Sequence, residues 1–225
     1  ADSETAEKLV RAFRPDTIVH AAGRNKGAEG DLWRDNVLTA KHLLDAAERV
    51  SPRPHLILLG SAAEYGINSP EPIPETAPCH PATAYGRTKL AATQEAMRRA
   101  ARGAADVTVL RPFNLIGPEI GGELVLGAFL ERLSRALPVS SGDIKVTMGR
   151  LDAVRDFVPL TDLLAIIEAV AEKQICGEII NVCSGRGRAT REVLQRVATL
   201  AGLRVDIVSA AAEASSAPDI VIGDP

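Results

Sequence analysis

Two short runs of apolar residues leave this chain few ways to fold. His55-Leu56-Ile57-Leu58-Leu59-Gly60-Ser61 is apolar almost throughout, and Val107-Thr108-Val109-Leu110-Arg111-Pro112 is of the same kind. A strand with no polar face has to be covered on both sides, as in a parallel sheet under helices. Thr17-Ile18-Val19-His20-Ala21-Ala22-Gly23 reads as a third buried strand running into a tight loop. Stretches of helical period separate these runs. Residues 3–14 form a helix capped by Ser3, with Glu4 at its positive end and Leu9, Val10 and Phe13 on one stripe. Residues 31–50 form another, with Leu43, Leu44, Ala47 and Val50 inward, and one more opens at Tyr85 and runs to about Arg102. Strand and helix alternate through the whole first half, so an α/β fold with a parallel sheet between two helical layers is expected. In such a sheet ligands sit off the carboxyl ends of the strands. Here those ends are Ala21-Ala22-Gly23, Gly60-Ser61 and Arg111-Pro112-Phe113-Asn114.

The second half is less regular. Residues 123–136, 161–172 and 190–201 have helical spacing, 178–182 and 204–208 read as strands, and 138–158 are mixed. The loop 66–81 carries five prolines, too many for a strand interior. Aromatic residues are only 3% of the chain, so the core is aliphatic. A net charge of −3 announces no basic face for nucleic acid. No apolar run reaches about 18 residues, so no membrane span is expected. Cys79, Cys176 and Cys183 are scattered, giving neither a metal-binding spacing nor a disulfide framework. A reducing, cytoplasmic setting is the default for such cysteines. The start, Ala1-Asp2-Ser3-Glu4, carries no signal-peptide pattern.

The chemistry points to Ala84-Tyr85-Gly86-Arg87-Thr88-Lys89. On a helix, Tyr85 and Lys89 share a face one turn apart. A free phenol, with a pKa of about 10, is a poor acid or base at neutral pH. An ammonium held one turn away favours the phenolate, so Lys89 is expected to lower the pKa of Tyr85 and let it move protons near pH 7. Ser61, at the end of the second strand, offers a hydroxyl that holds a substrate oxygen. Gly23 would let a flat ligand approach the backbone.

In this order, several motifs resemble the extended short-chain dehydrogenase/reductases, the NAD-dependent epimerase/dehydratase class that modifies nucleotide sugars. Val19-His20-Ala21-Ala22-Gly23 is similar to the family's strand under the cofactor, and Asp35-Asn36-Val37 with Leu43-Leu44-Asp45-Ala46 to its next helix. Gly60-Ser61-Ala62-Ala63-Glu64-Tyr65-Gly66 resembles the serine strand, and Tyr85 with Lys89 the active-site pair. Arg111 to Pro118, Arg155-Asp156-Phe157-Val158 and Asn181 to Gly185 resemble the segments that reach the sugar nucleotide. The nearest look is to reductases of GDP-4-keto-6-deoxy-mannose.

The resemblance implies a Rossmann-like doubly wound sheet over residues 1–115 with parts of 145–175, and a small α/β substrate-binding domain in most of 116–225. It implies NAD or NADP as cofactor, a nucleotide-sugar substrate and a homodimer paired through helices 31–50 and 83–102, where Ala91, Ala92 and Ala96 would allow close packing. Ser61, Tyr85 and Lys89 would be catalytic. Ala21, Ala22, Gly23, Asn36, Gly60, Pro112, Tyr85 and Lys89 would lie along the cofactor. Ser61, Ala62, Asn114 and Arg155 would meet the substrate, Arg155 at the diphosphate, where a planar guanidinium can pair two phosphate oxygens.

The reaction implied is reduction of a C4 ketone. A 4-epimerase uses the same three residues and stands second. A 4,6-dehydratase needs an added acid and base beside the serine; Ala62 and Ala63 cannot transfer a proton, and alternation along an extended strand would turn Glu64 to the other side. A cofactor-less sugar-nucleotide-binding remnant is the alternative from another class. Two departures stand out. No Gly-x-x-Gly-x-x-Gly turn occurs in the sequence, so the resemblance starts at the helix before the family's fourth strand, without the glycine-rich unit and first three strands. The strand 17–22 is then expected to expose an apolar edge that favours association. Ala214 also stands where the similar reductases carry a phosphate-binding arginine, and Arg186 or Arg188 is the candidate substitute.

Overall fold

A computed structural model of the chain describes residues 2–66, 69–118, 120–137, 144–210 and 219–225. The first half runs α1 (Ser3–Phe13), β1 (Thr17–His20), α2 (Glu29–Trp33), a π-helical turn (Arg34–Leu38), α3 (Thr39–Glu48), β2 (His55–Leu59), a 3-10 turn (Ala62–Glu64), α4 (Ala84–Ala101) and β3 (Val107–Pro112). There follow β4 (Asn114–Ile116), α5 (Val125–Ala136), β5 (Ile144–Met148), β6 (Val154–Pro159), α6 (Leu160–Lys173), β7 (Ile179–Val182), β8 (Gly187–Ala189), α7 (Thr190–Leu200), β9 (Val205–Ser209) and β10 (Ile220–Val221).

The main sheet has the order β1-β2-β3-β7, and every pairing in it is parallel. The apolar runs are explained by what covers them. Leu56, Leu58, Val107 and Val109 face one side and pack with Leu44, Ala92 and Ala96 of α3 and α4. Ile57 and Leu110 face the other and pack with Tyr65, Phe113, and Leu163 and Val170 of α6. Each such aliphatic side chain contributes about 1.5–3 kcal/mol by leaving water. Ala92 and Ala96 are therefore core, not a free pairing face, because α4 lies directly on the sheet.

Three local expectations are corrected. Asp2, not Ser3, caps α1: its carboxylate accepts the Thr5 N–H at 2.8 Å. β1 is not fully buried; as the expected open edge implies, it is the edge of the sheet, with no partner on its outer side among the described residues, and Val19 is exposed. β2 stops at Leu59, so Ser61 is not its last residue but caps the 3-10 turn that follows.

The rest of the chain builds a second layer system. β4, β6 and β10 form a parallel group with β8 antiparallel on β6, and β5 pairs with β9. Leu126, Phe129 and Leu133 of α5 pack there with Val146, Leu151, Leu194 and Ile207. β5, and β6 but for its last residue, fall in the stretch that reads as mixed. β5 alternates buried Ile144, Val146 and Met148 with exposed Lys145 and Thr147, the pattern of a strand with one face in water. β7, within residues 116–225, is the fourth strand of the main sheet. No described helix is long and apolar enough to cross a membrane.

Candidate active site

Off the carboxyl ends of β2 and β3 lies a cavity of ≈ 320 Å³. Gly60, Ser61, Ala62, Tyr85, Pro112, Asn114 and Arg155, all singled out in the sequence, line it. Lys89 on α4, Asn36 in the π-helical turn, and Ala21, Ala22 and Gly23 after β1 do not.

The serine is fixed by a reciprocal cap. Its hydroxyl accepts the Ala63 N–H at 3.2 Å, while its own N–H donates to Glu64 Oε1 at 2.9 Å. Thr83 caps α4 by accepting the Gly86 N–H at 3.0 Å, which starts the helix so that Tyr85 falls in its first turn. Gly86 then allows contact with the serine turn. A Cβ at this position would stand 2.4 Å from the Ala63 carbonyl oxygen. The sequence carried a signal for this: a glycine inside a helix is unfavourable unless close packing requires it. Gly66, at φ 64°, closes the same loop, with the His80 carbonyl where a side chain would go.

Lys89 is buried, and its ammonium donates to the Leu59 carbonyl at 2.8 Å. It lies 6.0 Å from the centroid of the Tyr85 ring. This arrangement corrects the expected electrostatics. Burial raises the Tyr85 phenol above its ordinary value; a hydrogen bond with Ser61 lowers it, the Glu64 charge raises it further, and Lys89 is not among the causes. The ammonium is itself lowered by burial and committed to a backbone carbonyl. His20, the last residue of β1, is pushed down to about 4 by burial and then by Lys89, so it is neutral at pH 7.

Asn36 is buried and hydrogen-bonded within the protein. Its amide accepts the Arg24 N–H at 2.7 Å and donates to the Arg24 carbonyl at 2.8 Å and the Thr88 hydroxyl at 2.9 Å. It sits in the π-helical turn and braces the loop after β1 against α4. Ala21, Ala22 and Gly23 remain exposed, and a Cβ on Gly23 would meet Asn36 Oδ1 at 2.8 Å and Lys89 Nζ at 3.5 Å. Small residues there leave an open shelf beside the ammonium.

Glu64 points away from the cavity, though not by strand alternation. It ends the 3-10 turn and enters the core, where Arg111 Nε donates to it at 2.9 Å and Thr93 at 3.0 Å. Burial pushes its carboxyl up, and Arg111 draws it back. No Asp or Glu is among the described residues lining the cavity. Its walls are otherwise largely apolar, with Phe113, Leu115, Leu124, Val125 and Val221. Asn114 donates to the Asp156 carbonyl at 3.4 Å. Arg155 donates to the Val154 and Asp219 carbonyls, both at 2.8 Å, and is pushed down to about 10 by burial and by Arg150. Arg188 is its cross-strand partner on β8, and both Arg186 and Arg188 are exposed. Ala214 lies outside the described residues. Neither the Glu64–Arg111 pair nor the Asn36 brace was read from the sequence as a tie between elements.

Comparison with known proteins gives a match to the profile described as the NAD dependent epimerase/dehydratase family over residues 1–183. The dTDP-6-deoxy-L-talose 4-dehydrogenase (NAD(P)(+)) of Kitasatospora kifunensis is 28% identical over 216 residues, covering 94% of this chain and 67% of that protein. The GDP-6-deoxy-D-mannose reductase of Pseudomonas aeruginosa is 28% identical over 203 residues, covering 86% of this chain and 66% of its own length. The structure of RMD from Pseudomonas aeruginosa, solved with NADPH, superposes with a TM-score of 0.86 at 25% identity and covers 99% of this chain and 77% of that one. The chain thus spans about two thirds of the length of the curated relatives it matches.

Proposed function

The chain belongs to the NAD dependent epimerase/dehydratase family, and from that premise we propose that it is an NAD(P)-dependent oxidoreductase that reduces the C4 ketone of an NDP-6-deoxy-4-keto-hexose. The observation that carries this reading is the shared cavity of Ser61 and Tyr85, with Lys89 one turn along α4 and no carboxylate on the described walls. The open shelf of Ala21, Ala22 and Gly23, with Lys89 beside Gly23, fits a flat cofactor ring and its ribose. Gly60 and Pro112 would complete its floor. Bound there, NADH or NADPH would supply the hydride that the ketone carbon accepts.

The chain's own residues do the rest. Tyr85 gives its proton to the developing alkoxide at O4, and the Ser61 hydroxyl holds that oxygen by a hydrogen bond. The phenol, raised by burial above a value that already lies far above neutrality, is protonated at pH 7, the form that a ketone reduction consumes. Lys89 would hold the ribose. Ala62, Asn114 and the apolar walls would receive a sugar whose sixth carbon bears no hydroxyl. Arg155, with Arg188 across the strand pair, would take the diphosphate in place of an arginine at position 214. The lack of a lining carboxylate among the described residues speaks against a dehydratase. Residues 1–115 with parts of 145–175 as the cofactor-binding part, 116–225 as mostly substrate-binding, and a homodimer belong to the same proposal.

Tyr85→Phe tests it. Turnover should fall by roughly 10²–10⁴-fold, with nicotinamide and sugar-nucleotide affinity kept. Undiminished turnover refutes the role given to Tyr85. Net consumption of NAD(P)H, followed by absorbance, separates the reductase from a 4-epimerase, which would consume none.

A further inference from the structure

One buried carboxylate touches every element that carries the reacting set. Glu64 has no exposed surface. Its Oε1 accepts the Ser61 N–H at 2.9 Å and the Thr93 hydroxyl at 3.0 Å, and its Oε2 accepts Arg111 Nε at 2.9 Å. Thr93 lies on α4 one turn beyond Lys89 and two beyond Tyr85. Arg111 lies on β3 directly before Pro112, where the chain turns to Asn114 on the cavity wall. The strand end makes room for the carboxylate: a Cβ on Gly60 would stand 2.5 Å from Glu64 Oε1.

We propose that Glu64 is a positioning residue that ties the Ser61 turn, the Tyr85–Lys89 helix and the end of β3 into one register, and so sets the separation of the Ser61 and Tyr85 hydroxyls. The proposal rests on the reading of Ser61, Tyr85 and Lys89 as the proton-handling set. Stability alone is a poor reason for this arrangement, because a buried ion pair can often be replaced by apolar groups without loss. A carboxylate can accept from several directions at once, which an apolar side chain of that volume cannot. The charged and titratable groups around it are Arg111 from β3, Lys89 and Tyr85 from α4, Tyr65 on the adjoining residue and Cys79 from the loop before α4. The Glu64 charge raises both Tyr85 and Lys89, so its loss also reaches the proton donor.

The test compares two double variants of the full natural chain, E64Q–R111M and E64L–R111M. Both lose the ion pair, but only the glutamine keeps an acceptor for Ser61 and Thr93. With NADPH and a GDP-4-keto-6-deoxyhexose as probes, kcat of the leucine variant should fall roughly tenfold or more below that of the glutamine variant, with the KM values within about twofold. Its crystal structure should show the Ser61–Tyr85 hydroxyl separation widened, and that of the glutamine variant unchanged. Equal separations in the two variants, or equal kcat values, overturn the proposal. If neither double variant folds, Thr93→Val, nearly isosteric and cutting only the tie to α4, decides. A several-fold fall in kcat at constant KM supports the positioning role, and an unchanged kcat and hydroxyl separation overturn it. Wild-type protein that turns over no keto-sugar sinks the proposed function instead, and the crystallographic separations still judge Glu64.

Discussion

Replacing Gly86 by alanine reverses the usual rule for helices. In an exposed helix interior alanine is favoured over glycine by about 1 kcal/mol. Here the new Cβ would lie 2.4 Å from the Ala63 carbonyl oxygen, 3.0 Å from Pro81 Cβ and 3.1 Å from the Ala63 carbonyl carbon. Ordinary van der Waals contact begins near 3.4 Å, so the first turn of α4 and the serine turn must separate by about 1 Å. Two of the three obstacles are backbone, which cannot swing aside as a side chain would. Overpacking of this kind costs about 1–3 kcal/mol, which more than offsets the gain in propensity. The expected net effect is a loss of up to about 2 kcal/mol, read as a lowered urea midpoint with an unchanged slope. The effect on rate is larger. Tyr85 precedes Gly86 directly, and a shift of about 1 Å between the proton donor and Ser61 is expected to lower kcat on the order of 10²-fold. A variant with a raised midpoint and wild-type kcat would refute the close approach of α4 to the serine turn.

His20 makes stability depend on pH. Its folded value of about 4 lies below the ordinary 6.5, so between these values the unfolded chain binds the proton and the folded chain does not. Stability is therefore highest above pH 6.5 and falls as the pH drops towards 4, by about 3 kcal/mol over the full window. His20→Gln should flatten that part of the urea-midpoint profile; an identical slope in the variant would rule out the histidine as its source. Arg99, almost fully buried, holds Asp45 at 2.7 Å, Glu48 at 3.0 Å and Glu95 at 2.7 Å, tying α3 to α4. Arg99→Met should cost about 2–4 kcal/mol because it leaves these carboxylates facing one another, and a midpoint equal to wild type would show the cluster to be inert.

Why some features were legible follows from how they are encoded. The runs at 55–59 and 107–110 announce themselves because a strand covered on both sides is apolar at every position, and α3, α6 and α7 because their helical spacing repeats within one segment. β5 alternates as a one-sided strand does, but over only five residues in an otherwise mixed stretch. The π-helical turn at Arg34–Leu38 was hidden inside a helical pattern that runs on without interruption. It matters because it carries Asn36, which the resemblance places along the cofactor and whose amide bonds Arg24 and Thr88.

By itself, the order of residues determined the layered sheet, the strand ends where a ligand belongs, and the pairing of Tyr85 with Lys89 on one helical turn. These depend on spacing within a segment, which the covalent chain already sets. Only the folded chain decided the electrostatics and the fit. The phenol sits above its ordinary value because burial outweighs its hydrogen bond with Ser61, while Lys89 donates to the Leu59 carbonyl. Glu64 turns inward because Arg111, 47 residues further along, and Thr93, 29 residues further along, supply its partners there. Burial and partners of that kind are sums over segments distant in sequence, and no local pattern of residues contains them.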